Sequence, residues 1–405
     1  MLWGPILRAH IDLPRPSPAV GCYAIVRGRV AGLRDPGPIT LRAGGVVFQT
    51  ERLVPTGVAA PPWFGFAAGI QAEVDLSVVP AATQRPGEQV ALALELEAGG
   101  RVVARASLQA VLQLPASGRA NTFILGIGRS GGSTVGRMLA AHPDCCMSIP
   151  EEPFFFEAEY ERGPDYYWKR YYAHAGGQPV AGEARNRNLF YPWIPQRVHA
   201  YNPAARFVVL LRHPLERLVS EHLCVRANIP STPSLRERVA ACRARRACGE
   251  FETAASLAAG RAGLLARGGW DRLPILLEAG DYAPMLARWF EFFAPERFLV
   301  LDFHELLQSP DASALRILRH LGLDPARHPR PMLAPRDEEA GFPDPLRPAW
   351  VKELARLRAA GIERAEERRH LSYLEPELRT QLAAEFGPRV ATLEALLGRR
   401  MDWLL

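Results

Sequence analysis

The chain has 405 residues, 48% of them apolar and 23% charged, a net charge of +6 and a pI near 9.1. This is the composition of an ordinary globular protein with enough length for two cores, and no apolar run reaches the roughly 18–20 residues that span a bilayer. The positive charge is carried almost wholly by arginine, since Lys169 and Lys352 are the two lysines, and it is scattered, without the long basic runs or basic–aromatic interleaving of a nucleic-acid binder.

Residues 1–115 read as strands. The first 18 residues lack a basic start and a continuous apolar stretch, so a cytoplasmic protein is expected. CYAIVRGRVAG (22–32), GVVFQTERLV (45–54), IQAEVDLSVV (70–79), VALALELEAGG (90–100) and RVVARASLQAVL (101–112) are short, alternating or β-branched, and bounded by Gly/Pro/Asp turns. Ala98-Gly99-Gly100 joins two of them as a hairpin. Five or more strands at this spacing predict an antiparallel β-sandwich of unknown role, followed by a linker over 116–121.

From residue 122 to residue 405 apolar strands alternate with helical stretches, the pattern of an α/β fold with a largely parallel sheet. TFILGIG (122–128), RFVVLLR (206–212) and RFLVLDF (297–303) are continuous apolar runs, as strands buried on both faces require. Helical periodicity marks STVGRMLAAH, LERLVSEHLCVRA, APMLARWFEFF and ASALRILRHLG. The Pro- and Arg-rich segment 330–348 reads as a long loop. The six cysteines show neither CxxC pairs nor metal-ligand spacing, so reduced structural thiols and no metal site are expected.

Two segments carry chemistry. In the first, the strand ending at Gly128 runs through Arg129-Ser130-Gly131-Gly132-Ser133-Thr134 directly into a helix. Unpaired N–H groups and the positive dipole end of that helix bind phosphate or sulfate, glycines let the backbone close around the anion, and the hydroxyls can cap the helix or donate to the ligand. A nucleotide-hydrolysing or kinase loop would place a lysine after the glycines; this one has none, and Asp302 is the single weak candidate for a metal-binding strand end. In the second segment, ARFVVLLRHPLERLVSEHL (205–223), a strand delivers Arg212 to its carboxyl end, where open α/β sheets bind ligands, and Ser220 follows one to two helical turns later. A planar guanidinium there suits a phosphate.

Together the two motifs resemble the sulfotransferases that use 3′-phosphoadenosine 5′-phosphosulfate. The loop is similar to their 5′-phosphosulfate loop, down to His142-Pro143-Asp144 after the helix, and Leu211-Arg212-His213-Pro214 through Ser220 is similar to their 3′-phosphate segment. IPEEPFFFEAEY (149–160) resembles the Glu-x-x-Phe-Phe stretch of the heparan-sulfate-type branch. The resemblance implies an α/β sulfotransferase domain, Arg129 as the cation on the leaving phosphate, and Glu152, with Glu151 as the alternative, as general base. It implies adenosine 3′,5′-bisphosphate as product, no metal, and a carbohydrate, glycolipid or other small hydroxyl acceptor. Glu151, Glu157, Arg185 and Tyr166 are acceptor-side candidates, and Arg368-Arg369 corresponds to the nucleotide-covering loop. The chain departs from the family at Gly132, where a threonine is usual, and at Glu183-Ala184-Arg185, where a lysine follows the glutamate and Arg185 is the substitute on offer. A kinase or nucleotide hydrolase, and a non-catalytic carbohydrate-binding protein, are the competing readings.

Overall fold

The computed structural model describes residues 8–13, 19–32, 35–53, 66–228, 231–251, 253–266, 274–329, 373–401 and 403. The loop expected at 330–348 lies outside these residues. The chain divides into two compact units, each discontinuous in sequence. The first is Met1–Gly118 with Arg162–Gly177 and Gly263–Asp271, and the second is Arg119–Glu161 with Gln178–Ala262 and Arg272–Leu405.

The first unit holds two sheets. In one, β1 (Arg8–Asp12), β3 (Tyr23–Gly32), β7 (Phe66–Asp75) and β6 (Glu51–Leu53) lie antiparallel in that spatial order. In the other, the order is β2 (Ala19–Gly21), β9 (Arg101–Leu112), β8 (Gln89–Ala98), β4 (Ile39–Ala43) and β5 (Val46–Gln49), antiparallel except for the parallel β2–β9 pair. Val90, Leu92, Leu94 and Leu96 alternate inward along β8 and share one buried cluster with Val26, Ile70 and Val74 of the other sheet, the packing of a β-sandwich. Gly99 and Gly100 have φ of 57° and 73° and join Ala98 to its partner Arg101, so both positions need the left-handed backbone that glycine adopts freely. The run 45–54 is not one strand. Its two halves join different sheets as β5 and β6, broken at Thr50, whose hydroxyl donates to the Ile39 carbonyl at 2.7 Å. A four-residue helix, α1 (Pro80–Thr83), follows β7. Helix α3 (Gly163–Tyr171) also belongs to this unit: Trp168 donates to the Ala116 carbonyl at 2.9 Å, and the Tyr166 ring meets Tyr23 edge-on at 5.3 Å.

The second unit is built on a five-stranded parallel sheet in the order β11 (Cys145–Met147), β12 (Val180–Glu183), β10 (Thr122–Gly126), β13 (Arg206–Leu211) and β14 (Phe298–Asp302). Strands β10 and β12 are buried at every residue and β13 at all but its first, which is why they read as continuous apolar runs. Strands β11 and β12 escape sequence reading because three or four residues carry no periodicity. Helices α2 (Gly132–Ala140) and α10 (Pro310–Leu321) share a core with β10 and β13 through Val135, Leu139, Ile317 and Leu318. Helices α5 (Pro214–Asn228), α6 (Leu235–Ala247) and α11 (Pro376–Leu397) share another through Leu218, Val239, Leu382 and Phe386. The other α-helices among the described residues are α4 (Ile194–Tyr201), α7 (Ala254–Ala266), α8 (Tyr282–Phe290) and α9 (Phe303–Gln308). Among the described residues no helix is long and apolar enough to cross a membrane. The result is the expected α/β fold, with β10 and β13 adjacent and their carboxyl ends side by side, where open parallel sheets place ligands.

Candidate active site

Strand β10 ends against β13 so closely that a Cβ on Gly126 would lie 2.8 Å from the Leu210 carbonyl oxygen. The loop that follows turns twice through the left-handed region, at Arg129 (φ 77°) and Gly131 (φ 95°). Arginine rarely adopts that conformation, and its neighbours hold it there: its carbonyl accepts from Arg212 Nη1 at 2.9 Å and its Nε donates to Ser220 Oγ at 3.1 Å. Gly131 is the N-cap of α2 and no side chain caps the helix, so Ser133 and Thr134 lie within the first turn instead of at the cap. This exposes a helix N-terminus suited to an anion. Ser130 Oγ is buried and makes no hydrogen bond among the described residues. A buried hydroxyl in that state calls for a partner, and the oxygen of a phosphate or sulfate seated in the loop would be one, so the residues present fit the nucleotide.

The second motif meets the first here. Arg212 is 3% exposed, and its guanidinium lies over the Phe303 ring, 4.4 Å from the centroid. Its Nε is 3.7 Å from Glu216 Oε2, which also pairs with His304 Nε2 at 3.0 Å. Burial pushes the Glu216 carboxyl up, but the His304 hydrogen bond and the positive charge of His304, His213 and Arg212 together outweigh it and hold the carboxyl below its usual value. The Tyr282 hydroxyl donates to the Arg212 carbonyl at 2.8 Å, and burial pushes that phenol up to about 12, so it remains a donor. Arg129, Arg212 and Ser220, separated by 91 residues or fewer along the chain, are thus one cluster.

The acidic pair divides its work. The Glu151 carboxylate lies along α2, with Oε1 at 2.9 Å from where a Cβ on Gly136 would stand, and its carbonyl accepts from Ala184 N at 3.2 Å. The Glu152 side chain is 41% exposed; its Oε1 accepts from Asn186 Nδ2 and its Oε2 from Arg185 Nη1, both at 3.1 Å. Arg185 is buried, stacks on Phe154 at 4.1 Å and bonds to the wholly buried Glu157, which is also held by Arg261 Nε at 2.7 Å. Glu157 therefore faces inward as an anchor for two guanidiniums. Tyr166 belongs to the first unit, where its hydroxyl donates to Glu73 at 3.0 Å. Arg368 and Arg369 lie outside the described residues.

Asp302 caps α9 through the His304 N–H at 3.0 Å and accepts from Trp403 Nε1 at 2.7 Å. Its carboxylate is occupied in holding the fold, and burial pushes its pKa up. Among the described residues no group of three or more His, Cys, Asp or Glu is arranged to hold a metal ion. Sequence reading missed Asn186, Arg261, Phe303 and His304. The polar run Arg185-Asn186-Arg187-Asn188 was the available signal, but it points to a site only once β12 is recognised beside β10.

The sulfotransferase domain family matches residues 119–333. Human heparan sulfate glucosamine 3-O-sulfotransferase 6 is 28% identical over 201 residues, covering 50% of this chain and 52% of that protein. Mouse carbohydrate sulfotransferase 15 is 28% identical over 135 residues, 33% of this chain and 23% of that one. The chain thus spans about half, or less, of the length of these relatives. A crystal structure of a sulfotransferase from Alicyclobacillus acidocaldarius aligns with 71% of this chain and 98% of its own at 23% identity and a TM-score of 0.48.

Proposed function

The chain belongs to the sulfotransferase domain family, whose members use 3′-phosphoadenosine 5′-phosphosulfate, and from that premise we propose that it moves a sulfuryl group to a hydroxyl or amine of a carbohydrate or glycolipid. The observation that carries this reading is the joining of Arg129, Arg212 and Ser220 at the carboxyl ends of two adjacent parallel strands. One cation-bearing loop suits one phosphate; a second buried arginine beside it suits a nucleotide with a phosphate at each end. The names of the relatives support a carbohydrate acceptor.

When bound, the nucleotide supplies an activated sulfuryl group on its 5′-phosphate. The residues do the rest by position and charge. Arg129, Ser130 and the first N–H groups of α2 stabilise the charge that develops on the leaving phosphate oxygen. Arg212 and Ser220 hold the 3′-phosphate. Glu152 takes the proton from the acceptor as the new O–S or N–S bond forms and the S–O bond to the 5′-phosphate breaks. Arg185 and Asn186 hold that carboxylate in one orientation, each on a different oxygen.

Two measurements test this. Adenosine 3′,5′-bisphosphate should raise the melting temperature of the folded protein, because ligand that binds only the native state must stabilise it; no shift at millimolar nucleotide would sink the donor assignment. With the sulfate donor and acceptor pools read by mass spectrometry, Glu152→Gln should cut transfer by about 10²–10⁴-fold while leaving the bisphosphate shift intact. Transfer that survives the substitution would remove Glu152 from the role of base.

A further inference from the structure

Position 132 opens the first turn of α2, and the structure shows what stands beside it. A Cβ on Gly132 would lie 2.0 Å from Oδ1 of Asn186 and 2.9 Å from its Cγ. Gly132 opens α2 without a positive φ, so backbone geometry would admit any residue there. The atoms a side chain there would meet first are those of the Asn186 carboxamide. Asn186 is itself more than nine-tenths buried, its Oδ1 has no hydrogen-bond partner among the described residues, and its Nδ2 donates to Glu152 Oε1 at 3.1 Å. One end of the amide is therefore held by packing against the loop glycine and the other by the carboxylate.

Resting on the sulfotransferase reading, we propose that Gly132 and Asn186 form a coupled pair in which Asn186 is the positioning residue. The absence of a side chain at 132 leaves room for a carboxamide from the turn after β12, which sets the Glu152 carboxylate. The geometry makes the coupling directional. Filling position 132 displaces the amide, and the amide takes with it one of the two hydrogen bonds on Glu152; the Arg185 bond to the other oxygen then remains as the carboxylate's surviving restraint. In this arrangement a threonine at 132 requires the carboxamide of Asn186 to move, because a contact of 2.0 Å cannot stand.

The test is a cycle of Gly132→Thr, Asn186→Ala and the double variant, each followed by melting temperature, adenosine 3′,5′-bisphosphate binding and sulfate transfer to the acceptor pool. Gly132→Thr should lower the melting temperature and weaken bisphosphate binding by about tenfold, the scale of an overpacked contact. The double variant should return bisphosphate binding to within about twofold of the single Asn186→Ala protein, and its melting temperature to that protein's. Asn186→Ala alone should bind bisphosphate normally and lose transfer, a split that loss of fold would not produce. Additive effects of the two substitutions, or a Gly132→Thr protein indistinguishable from the original, would overturn the coupling; normal transfer by Asn186→Ala would overturn the positioning role. Should the unaltered protein fail to bind bisphosphate, the donor reading falls, while the cycle in melting temperature still decides whether the pair is coupled.

Discussion

His222 has no solvent exposure within α5, and its Nδ1 accepts from Arg238 Nη1 at 3.2 Å. An imidazole that accepts from a guanidinium must be neutral at that nitrogen, and burial, then the charges of Arg238 and Arg226, push its pKa down from 6.5 to about 4. The unfolded chain takes up this proton near 6.5 and the folded one does not until about 4. The unfolded state therefore binds more protons between those values, and stability falls as pH drops through that window. Urea midpoints measured from neutral pH downward should show the decline, and His222→Gln should flatten it; an equal slope in the variant would assign the loss to other groups. At this scale the sequence was most informative where a residue's role follows from its place on a strand end. That Arg129 and Arg212 meet was legible because apolar strands β10 and β13 end beside each other, and Ser220 joins them from helix α5. Asn186 was not, because its partners, Gly132 and Glu152, are neighbours only through the folded sheet.

Among the elements, the one-turn π-helix Phe155–Glu159 and helix α7 are linked by charge inside the protein. The π turn buries Phe155 and Phe156 and turns Glu157 toward Arg185 and Arg261. A buried carboxylate depends on both guanidiniums, so Arg261→Met should destabilise the protein by about 1–3 kcal/mol, less than the 3–5 expected when a buried charge loses its sole partner. A urea midpoint unchanged by the substitution would show that α7 is not held through this pair. The triple phenylalanine was readable as core. The acidic residue that follows it was not readable as an anchor, since a sequence pattern distinguishes buried from exposed carboxylates poorly when their partners lie 28 and 104 residues away. The same limit divides the long helices and central strands, which periodicity identifies, from β11 and β12, which are too short to show any.

Over the whole molecule, two units with separate cores follow from a chain whose apolar surface exceeds what one core holds. Helix α3 is the informative exception: it comes between two strands of the second unit yet belongs to the first, where Glu73 binds Arg170 at 2.7 Å, Arg162 at 2.5 Å and the Tyr166 hydroxyl. Glu73→Ala leaves two guanidiniums and a hydroxyl without that partner and should lower the stability of the first unit by about 1–3 kcal/mol. Adenosine 3′,5′-bisphosphate binding should be unchanged, because every nucleotide-side residue described belongs to the second unit. A weakened nucleotide shift would show that the first unit acts on the site.

The sequence by itself determined the class of each half and the family of the second. Those depend on local patterns: alternation for the sandwich, continuous apolar strands for the parallel sheet, and a glycine loop before a helix for the anion. The tertiary structure decided which partners each of two adjacent glutamates meets, which residue stands beside Gly132, and which unit α3 joins. Each of those depends on side chains from separate segments meeting at hydrogen-bond distance, and that distance is set by strand order and register, which no local pattern contains.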